Sequence, residues 1–394
     1  MKVLVCQHGA RHKFQIPKFF YEEDLLAGLY TDSNRYSMAG KLAKNLSPLF
    51  KGKVLCLYNR NPHPIPEKLI YSTDSPLISD IFHKDRFPIS KFIRHHKIVS
   101  RLAMSHPLKE YDLVYNMHYE NLDFLEFAKK NGKKIIIDVF INPVYREILG
   151  NNKTLNKYYK FSKYELEITK KMFKKAYELA DVVFCPSNFV VDGIQQLIGE
   201  TSKCRKVAYG NSLLSSDLQI IPKKKFNQKI LFIGNDFPRK GIVEINSAAK
   251  IIKEKHPDII FTIVGNDNFG FSKDPNYQLL NFVGQKTKNE VINFFQSHSI
   301  FLMPSYAEGQ AGVLIEALSF GLPIITTRES GVDFQNDNVG EYVQAGNYEM
   351  IVEKVLSYIQ DDKKLENQSL SAIQFVKQFS LENWKKRILQ NLPY

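Results

Sequence analysis

The run Glu308-Gly-Gln-Ala-Gly-Val-Leu-Ile-Glu316-Ala-Leu-Ser-Phe-Gly-Leu-Pro323 constrains this chain more than any other stretch. An apolar strand, Ile300 to Met303, precedes it. Gly321 then stops the helix, and Pro323-Ile-Ile-Thr-Thr starts another strand. The pattern predicts a strand–loop–helix–strand unit whose helix N-terminus is open. Such an end offers unpaired backbone N–H groups and a positive dipole to a phosphate. A carboxylate on either side can accept hydrogen bonds from sugar hydroxyls. The unit therefore suits a phosphate flanked by sugars, which is the chemistry of a nucleotide-sugar.

With 394 residues the chain is too long for one ordinary core and suits two domains. Its 44% hydrophobic and 24% charged residues fit a folded protein. No run of about 18 apolar residues predicts a transmembrane helix. The opening Met1-Lys-Val-Leu-Val-Cys-Gln-His turns polar too early for a signal peptide, so a cytoplasmic location is expected. Cys6, Cys56, Cys185 and Cys204 form no Cys-x-x-Cys pair and read as thiols in a reducing compartment. Of the net charge of +13, residues 1–220 carry +12. A basic half suggests an anionic partner, such as a lipid head-group surface or an acidic glycan, with solvated lysines as the alternative. Nucleic acid is not expected, because no recognisable binding motif accompanies the charge.

Both halves open alike. Lys2-Val-Leu-Val-Cys6 leads to His8-Gly9-Ala10-Arg11, and Lys229-Ile-Leu-Phe-Ile233 leads to Gly234-Asn235-Asp236. Each reads as a buried parallel strand followed by a glycine loop. Ile221 to Gln228 reads as the linker. Further strands are expected at 54–58, 113–116, 135–140, 182–186 and 206–209, and a long helix over about 155–180. In the second half, strands at 230–233, 259–264, 280–283, 299–303 and 323–327 alternate with helices at 242–256, 287–297 and 312–320. The tail from about 350 to 389 reads as helical. The alternation implies α/β architecture with parallel sheets covered on both faces. Residues 59–107 carry six prolines and the basic run Lys91-Phe-Ile-Arg-His-His-Lys97, the run read as a solvated helix face or a contact for an anionic surface.

The Glu308–Pro323 run, with its strand, small-residue loop, helix and Leu-Pro strand start, resembles the retaining glycosyltransferases of family 4 and their E-x7-E signature. The resemblance covers most of residues 229–345 and, less distinctly, 111–211. It implies the GT-B fold: two Rossmann-like domains facing each other across a cleft. Residues 1–222 would form an acceptor-binding domain, onto which a C-terminal helix at about 372–394 packs back. Residues 223–371 would bind the nucleotide-sugar. By the same resemblance Glu316 binds the ribose hydroxyls. Glu308, with the amides of Gly309, Gln310, Ala311, Gly312 and Val313, holds the donor sugar and β-phosphate. The family more often has Phe-Gly where this chain has Gln310-Ala311, which leaves the donor sugar open.

Gly234-Asn-Asp-Phe-Pro-Arg239-Lys240-Gly241 supplies the cations a departing diphosphate needs, through charge-assisted hydrogen bonds. The family usually has Arg directly after that first Gly. Here Asn235 stands there, and Arg239 is the candidate to take over its charge beside Lys240. Gln285, after Asn281-Phe-Val-Gly284, sits where the family's base-contacting loop begins. On the acceptor side Gly9 and Ala10 match the family's glycine loop near the donor phosphates. The catalytic-site His of many family members is missing after Ile137-Asp138-Val-Phe-Ile-Asn142, leaving Asp138 as the nearest polar substitute, Asn142 as the next, and His118 at the end of the previous strand, with a structural reading beside Asp138 and His118. Ser187 and Asn188 read as a helix cap, and Asn211 matches a family turn. No Asp-x-Asp triplet occurs, so no obligatory metal and no other cofactor is expected. The expected activity is sugar transfer, with retention, from a nucleoside-diphosphate donor to a glycan or lipid-linked acceptor in cell-envelope synthesis. Peripheral contact with the inner membrane face is part of that expectation. A nucleotide-sugar epimerase and a non-catalytic sugar-nucleotide-binding protein are the alternatives.

Overall fold

Two fully parallel sheets organise the chain. The computed structural model describes residues 1–46, 57, 59–83, 85, 88–215, 221–334 and 338–393. The first sheet contains β1 (Val3–Cys6), β2 (Leu26–Thr31), β3 (Ile70–Ser72), β4 (Leu113–Asn116), β5 (Lys134–Asp138), β6 (Val182–Cys185) and β7 (Cys204–Lys206). Their order is β3-β2-β1-β4-β5-β6-β7. The second contains β8 (Lys229–Ile233), β9 (Ile260–Val264), β10 (Leu280–Gly284), β11 (Ile300–Met303), β12 (Ile324–Thr326) and β13 (Gly340–Tyr342), ordered β10-β9-β8-β11-β12-β13. In each sheet the order reverses beside the first strand, between β1 and β4 and between β8 and β11. Ligands of open parallel sheets bind in the crevice outside the carboxyl ends at that reversal. The loops bearing Gly9, His118, Gly234 and Glu308 all leave strands at these two points.

Apolar runs read from the sequence become the sheet interiors. Val3, Leu4, Val5 and Cys6 are buried in the first sheet, and Ile300 to Met303 in the second. Helices cover both faces, as buried parallel strands require. Cys6 and Cys185 are buried free thiols and Cys204 is a half-buried one. No described helix is long and apolar enough to cross a membrane.

Several element boundaries differ from expectation. The expected strand at 54–58 and Cys56 lie outside the described residues, apart from residue 57. The strand expected at 206–209 is instead Cys204–Lys206, because Val207 to Tyr209 leave the sheet toward the other half of the molecule. The long helix begins only at Lys163, where Ser162 and Glu165 form a reciprocal capping box. The aromatics ahead of it serve another surface. Tyr158 packs on Phe269 and Phe271 of the second unit at ring distances of 5.8 and 5.5 Å. The helical tail is broken into Tyr348–Gln360, Asp362–Phe375 and Leu381–Gln390. β2, β3 and β13 were not anticipated. Two are only three residues long, and β2 carries Gly28 at a point where any Cβ would meet the Tyr71 ring at 2.9 Å.

The last helix crosses back to the first unit. Trp384 is 1% exposed and meets Phe19 edge-on at 5.3 Å and Tyr209 at 5.6 Å. Arg387 adds hydrogen bonds from Nε and Nη2 to the Ala208 carbonyl at 3.1 and 3.0 Å. We predict that Trp384→Ala costs about 3–5 kcal/mol of stability, the range for truncating a buried aromatic. Urea denaturation monitored by circular dichroism checks this, and a loss under about 1 kcal/mol would contradict the docking of this helix.

Candidate active site

The loop after β11 brings Glu308 against the loop after β8. Oε1 of Glu308 accepts from Lys240 Nζ at 2.6 Å and from Arg239 Nη1 at 2.7 Å. Arg239 also donates from Nε to Asp236 at 2.8 Å and from Nη1 to the Ala307 carbonyl at 2.6 Å. Burial alone would push the Glu308 carboxyl up, but Lys240 and Arg239 outweigh it and hold it below the usual range. Burial would likewise lower the Arg239 guanidinium, and Glu308 and Asp236 raise it instead. Gly234 makes room for this cluster: a Cβ there would lie 2.4 Å from the Lys240 stem. Tyr159, from the first unit, donates to Asp236 and accepts from the Arg239 amide at 3.1 Å.

The helix Gly312–Ser319 starts beside this cluster, and no side chain caps it. A Cβ on Gly312 would meet nothing within 4 Å, so the space before the helix is open. Of the amides expected to hold a phosphate, that of Ala311 is already donated to the Ser330 carbonyl at 2.9 Å. The Gln310 side chain reaches across to the first unit, accepting from the Tyr209 amide at 2.9 Å and donating to its carbonyl at 3.1 Å. Gly309 lies so close to the first unit that a Cβ would sit 1.8 Å from the Phe140 carbonyl oxygen. Its own carbonyl accepts from Ser187 Oγ at 2.5 Å. Ser187 also caps the helix Asn188–Ile198, so the predicted cap doubles as a seam contact.

A cleft of about 250 Å³ opens between the units beside this seam, lined by Glu316, Gly312, Lys13, His12, Tyr209 and Trp384 among others. Burial raises the Glu316 carboxyl, while Lys13 and Lys288 oppose the rise. His12, Lys13 and Phe14 take left-handed φ values of 48°, 53° and 60°. A run of non-glycine residues there is strained by about 1 kcal/mol or more each. Packing enforces it: Phe14 is fully buried, and the His12 ring lies 4.3 Å from Tyr209 and 5.2 Å from Trp384. The strained turn places Lys13 opposite Glu316. Burial lowers the His12 imidazole to about 3, so it is neutral near pH 7.

The remaining candidates fall in different places. Asp138 does not face the cleft. It is buried, and its two oxygens accept from Tyr115 and Tyr209 hydroxyls at 2.7 Å each. Burial pushes its carboxyl up against those bonds and Arg11. It anchors Tyr209, which does line the cleft. His118 is buried, with Nε2 3.3 Å from the His8 carbonyl. Gly9 donates its amide to Asp32, just after β2, at 2.8 Å, and its carbonyl accepts from Gln7, so its amide already has a partner. Ala10 closes the same turn, its carbonyl accepting from the Lys13 amide. Asn235 is exposed and accepts from the Asn266 amide at 3.0 Å. Gln285 is exposed, away from the cleft lining. The amide of Asn211 donates to the Phe379 carbonyl at 2.8 Å, and the residue borders the cleft. Sequence reading missed Lys13, His12, Tyr209 and Tyr159. Only the position of Lys13 shortly after β1 could have flagged one of them. Among the described residues, His96, His118 and Glu120 stand close enough to share a cation.

A family profile described as glycosyl transferases group 1 matches residues 216–375, which contain the Glu308 cluster and Glu316. The chain is 28% identical over 148 residues to the capsular polysaccharide biosynthesis glycosyltransferase CapM of Staphylococcus aureus, covering 34% of this chain and 38% of that protein. It is 26% identical over 156 residues to the UDP-Gal:alpha-D-GlcNAc-diphosphoundecaprenol alpha-1,3-galactosyltransferase of Escherichia coli, covering 37% and 40%. An uncharacterized glycosyltransferase of Methanocaldococcus jannaschii shares 26% over 228 residues, covering 55% and 60%. These matches span less than two thirds of each relative's length. Among solved structures, Anabaena Alr3699/HepE in complex with UDP and glucose superimposes with a TM-score of 0.61 at 15% identity, covering 99% of this chain and 98% of that one. WaaG, a glycosyltransferase involved in lipopolysaccharide biosynthesis, gives 0.63 at 16%, covering 98% of each. The fold is GT-B. Glu308 with Lys240 and Arg239 sits on the loops after β11 and β8, Glu316 lines the cleft, and Gln285 follows β10 apart from them.

Removing the Glu308 charge should have a pH signature. Its folded pKa is depressed below the unfolded value of about 4.3, so its contribution is present above that pH and lost as pH falls through the folded value. We predict that Glu308→Gln lowers stability by up to about 3 kcal/mol at pH 7. The gap to wild type should narrow below about pH 4. Denaturation series at pH 7, 5 and 3.5 measure it, and a gap independent of pH would rule the charge pairing out.

Proposed function

We propose that this protein is a glycosyltransferase that moves a sugar from a nucleoside-diphosphate donor to a hydroxyl of a glycan or lipid-linked acceptor. The observation that carries this reading is the convergence of Lys240 and Arg239 on Glu308, beside the uncapped helix whose Gly312 and Glu316 line the cleft between the units. A diphosphate entering there meets two cations and a helix dipole. Most of the rate enhancement would come from stabilising the negative charge that grows on the leaving diphosphate. Lys240 is the freer cation, since Arg239 is shared with Asp236 and the Ala307 carbonyl. Glu316, on the cleft wall, would take the ribose hydroxyls. Retention at the anomeric carbon follows from the E-x7-E resemblance. Closure of the two units would exclude water as a competing acceptor.

Cell-envelope polysaccharide synthesis is the proposed setting. It is supported by the names of relatives, a capsular polysaccharide glycosyltransferase and a galactosyltransferase that acts on a diphosphoundecaprenol-linked sugar. UDP is the first donor nucleotide to try, because the HepE structure holds UDP and glucose. A screen of UDP-, GDP- and dTDP-sugars for nucleotide release, with and without lipid-linked acceptors, tests the reading. Acceptor-dependent release is expected, with Lys240→Ala lowering kcat/KM by about 100-fold or more. Isomerised donor formed without acceptor would replace this reading with an epimerase. Absence of turnover with tight donor binding would replace it with a binding protein.

The acceptor side would touch anionic lipid. The basic run around Lys91 is largely spent locally: Lys91 pairs with Asp80 at 2.6 Å, and Arg94 with Asp80 and Asp85 at 2.9 and 2.5 Å. The better feature is the helix Ser75–Phe82, which exposes Leu77, Ile78, Ile81 and Phe82, the last two 76% and 77% exposed. Apolar residues on a basic unit fit an interfacial contact. Binding to vesicles containing anionic lipid is expected to exceed binding to neutral ones and to weaken in Ile81→Asp. Equal partition of wild type and variant would remove the lipid contact.

A further inference from the structure

We propose that His96, His118 and Glu120 bind a divalent transition-metal ion, Zn²⁺ foremost, with His8 as the fourth group. None of these residues belongs to the Glu308 cluster. They come from three places on the first unit: His8 follows β1, His118 and Glu120 follow β4, and His96 lies on the helix Pro88–Met104. One ligand atom from each of His96, His118 and Glu120 lies within 4.8 Å of the others. Ligand atoms about 2.0–2.1 Å from a tetrahedral Zn²⁺ stand roughly 3.4 Å apart. Small side-chain rotations would therefore close the shell. The His96 ring is 4.6 Å from His118 and 5.0 Å from His8, centroid to centroid.

Unfilled buried atoms point the same way. His96 is 0% exposed, and neither ring nitrogen makes a hydrogen bond of good geometry, although the Phe92 carbonyl lies near. Oε2 of Glu120 and Nδ1 of His8 are also buried without partners. A buried polar atom left unsatisfied is costly, and native proteins seldom gather several in one place. One cation would satisfy them together.

The surrounding bonds orient the imidazoles for this. His8 Nε2 is 3.6 Å from Asp32 Oδ2, which favours the N–H on that side and leaves the lone pair on the unpartnered Nδ1. Asp32 is held in turn by Arg60 at 3.0 Å and the Gly9 amide at 2.8 Å. For His118, Nε2 facing the His8 carbonyl leaves Nδ1 with the lone pair. Carboxylates and carbonyls behind ligating histidines set tautomer and ring angle in metal sites. Imidazole with one carboxylate suits Zn²⁺, Co²⁺, Ni²⁺ or Fe²⁺ better than Mg²⁺ or Ca²⁺. Glu120 and His8 keep partial exposure, and so give an entry route. A bound ion would pin the helix Pro88–Met104 to the loops after β1 and β4.

The test uses the full chain without a histidine tag, stripped with a chelator and titrated with Zn²⁺ against a chromophoric chelator. Co²⁺ then reports geometry through its visible d–d bands. One equivalent per chain is expected, with a rise in Tm. His96→Ala and Glu120→Gln should each weaken Zn²⁺ binding at least about tenfold. His83→Ala, at an exposed residue, should not. Circular dichroism checks that the variants fold. Should His96→Ala fail to fold, Glu120→Gln carries the test alone. No saturable binding by the wild-type chain, or wild-type affinity in Glu120→Gln, overturns the proposal.

Discussion

One carboxylate oxygen, Oε1 of Glu308, accepts from both Lys240 and Arg239, and the loops after β8 and β11 meet at that junction. Two cations so close would repel each other without it. The carboxylate lets them sit together at the carboxyl ends of β8 and β11, next to a helix N-terminus that no side chain caps. The absence of a Cβ on Gly234 allows the Lys240 stem to pass, and Asp236 steadies Arg239 from the other side. The Tyr159 hydroxyl ties this arrangement to the first unit.

The units meet through backbone as much as through side chains. Gly309 lies against the Phe140 carbonyl, its own carbonyl accepts from Ser187, and Gln310 bonds both backbone groups of Tyr209. Tyr209 is then fixed by Asp138 and packed against Trp384. A connected path therefore runs from the buried Asp138, through Tyr209, to the loop that carries Glu308. The C-terminal helix touches this path through Trp384. A residue read as a candidate for contact with substrate thus acts by positioning another, because its oxygens are already filled by two hydroxyls.

Much of the fold was legible because buried parallel strands need uninterrupted apolar runs. Ile300–Met303, Lys229–Ile233 and Ile260–Val264 could be read with boundaries accurate to about a residue for that reason. Short edge strands such as Ile70–Ser72 and Gly340–Tyr342 carry too few residues for a period to show. The aromatics at 158–161 suggested a helix face because period alone cannot tell a helix from a docking loop. In the candidate site, Glu308, Lys240 and Arg239 could be singled out because charged residues at strand-to-helix turns have few purely structural uses; the structure shows that they pair with one another. His12 and Tyr209 could not be, since nothing local marks them as facing a cleft, and Lys13 had only its place shortly after β1 to mark it.

The chain's order of apolar strands, glycine turns and charged loops was enough by itself to determine two parallel α/β units and the acids and cations of the second. Those choices are made by local periodicity and by turn chemistry, which sequence carries directly. Tertiary structure alone decided that Asp138 is sealed behind two tyrosines and that a left-handed turn presents Lys13 to Glu316. It also decided that histidines following β1 and β4 and one on a distant helix cluster together. Each of these depends on contacts between residues tens to hundreds of positions apart, and burial and hydrogen-bond satisfaction at such contacts arise only once the chain has folded.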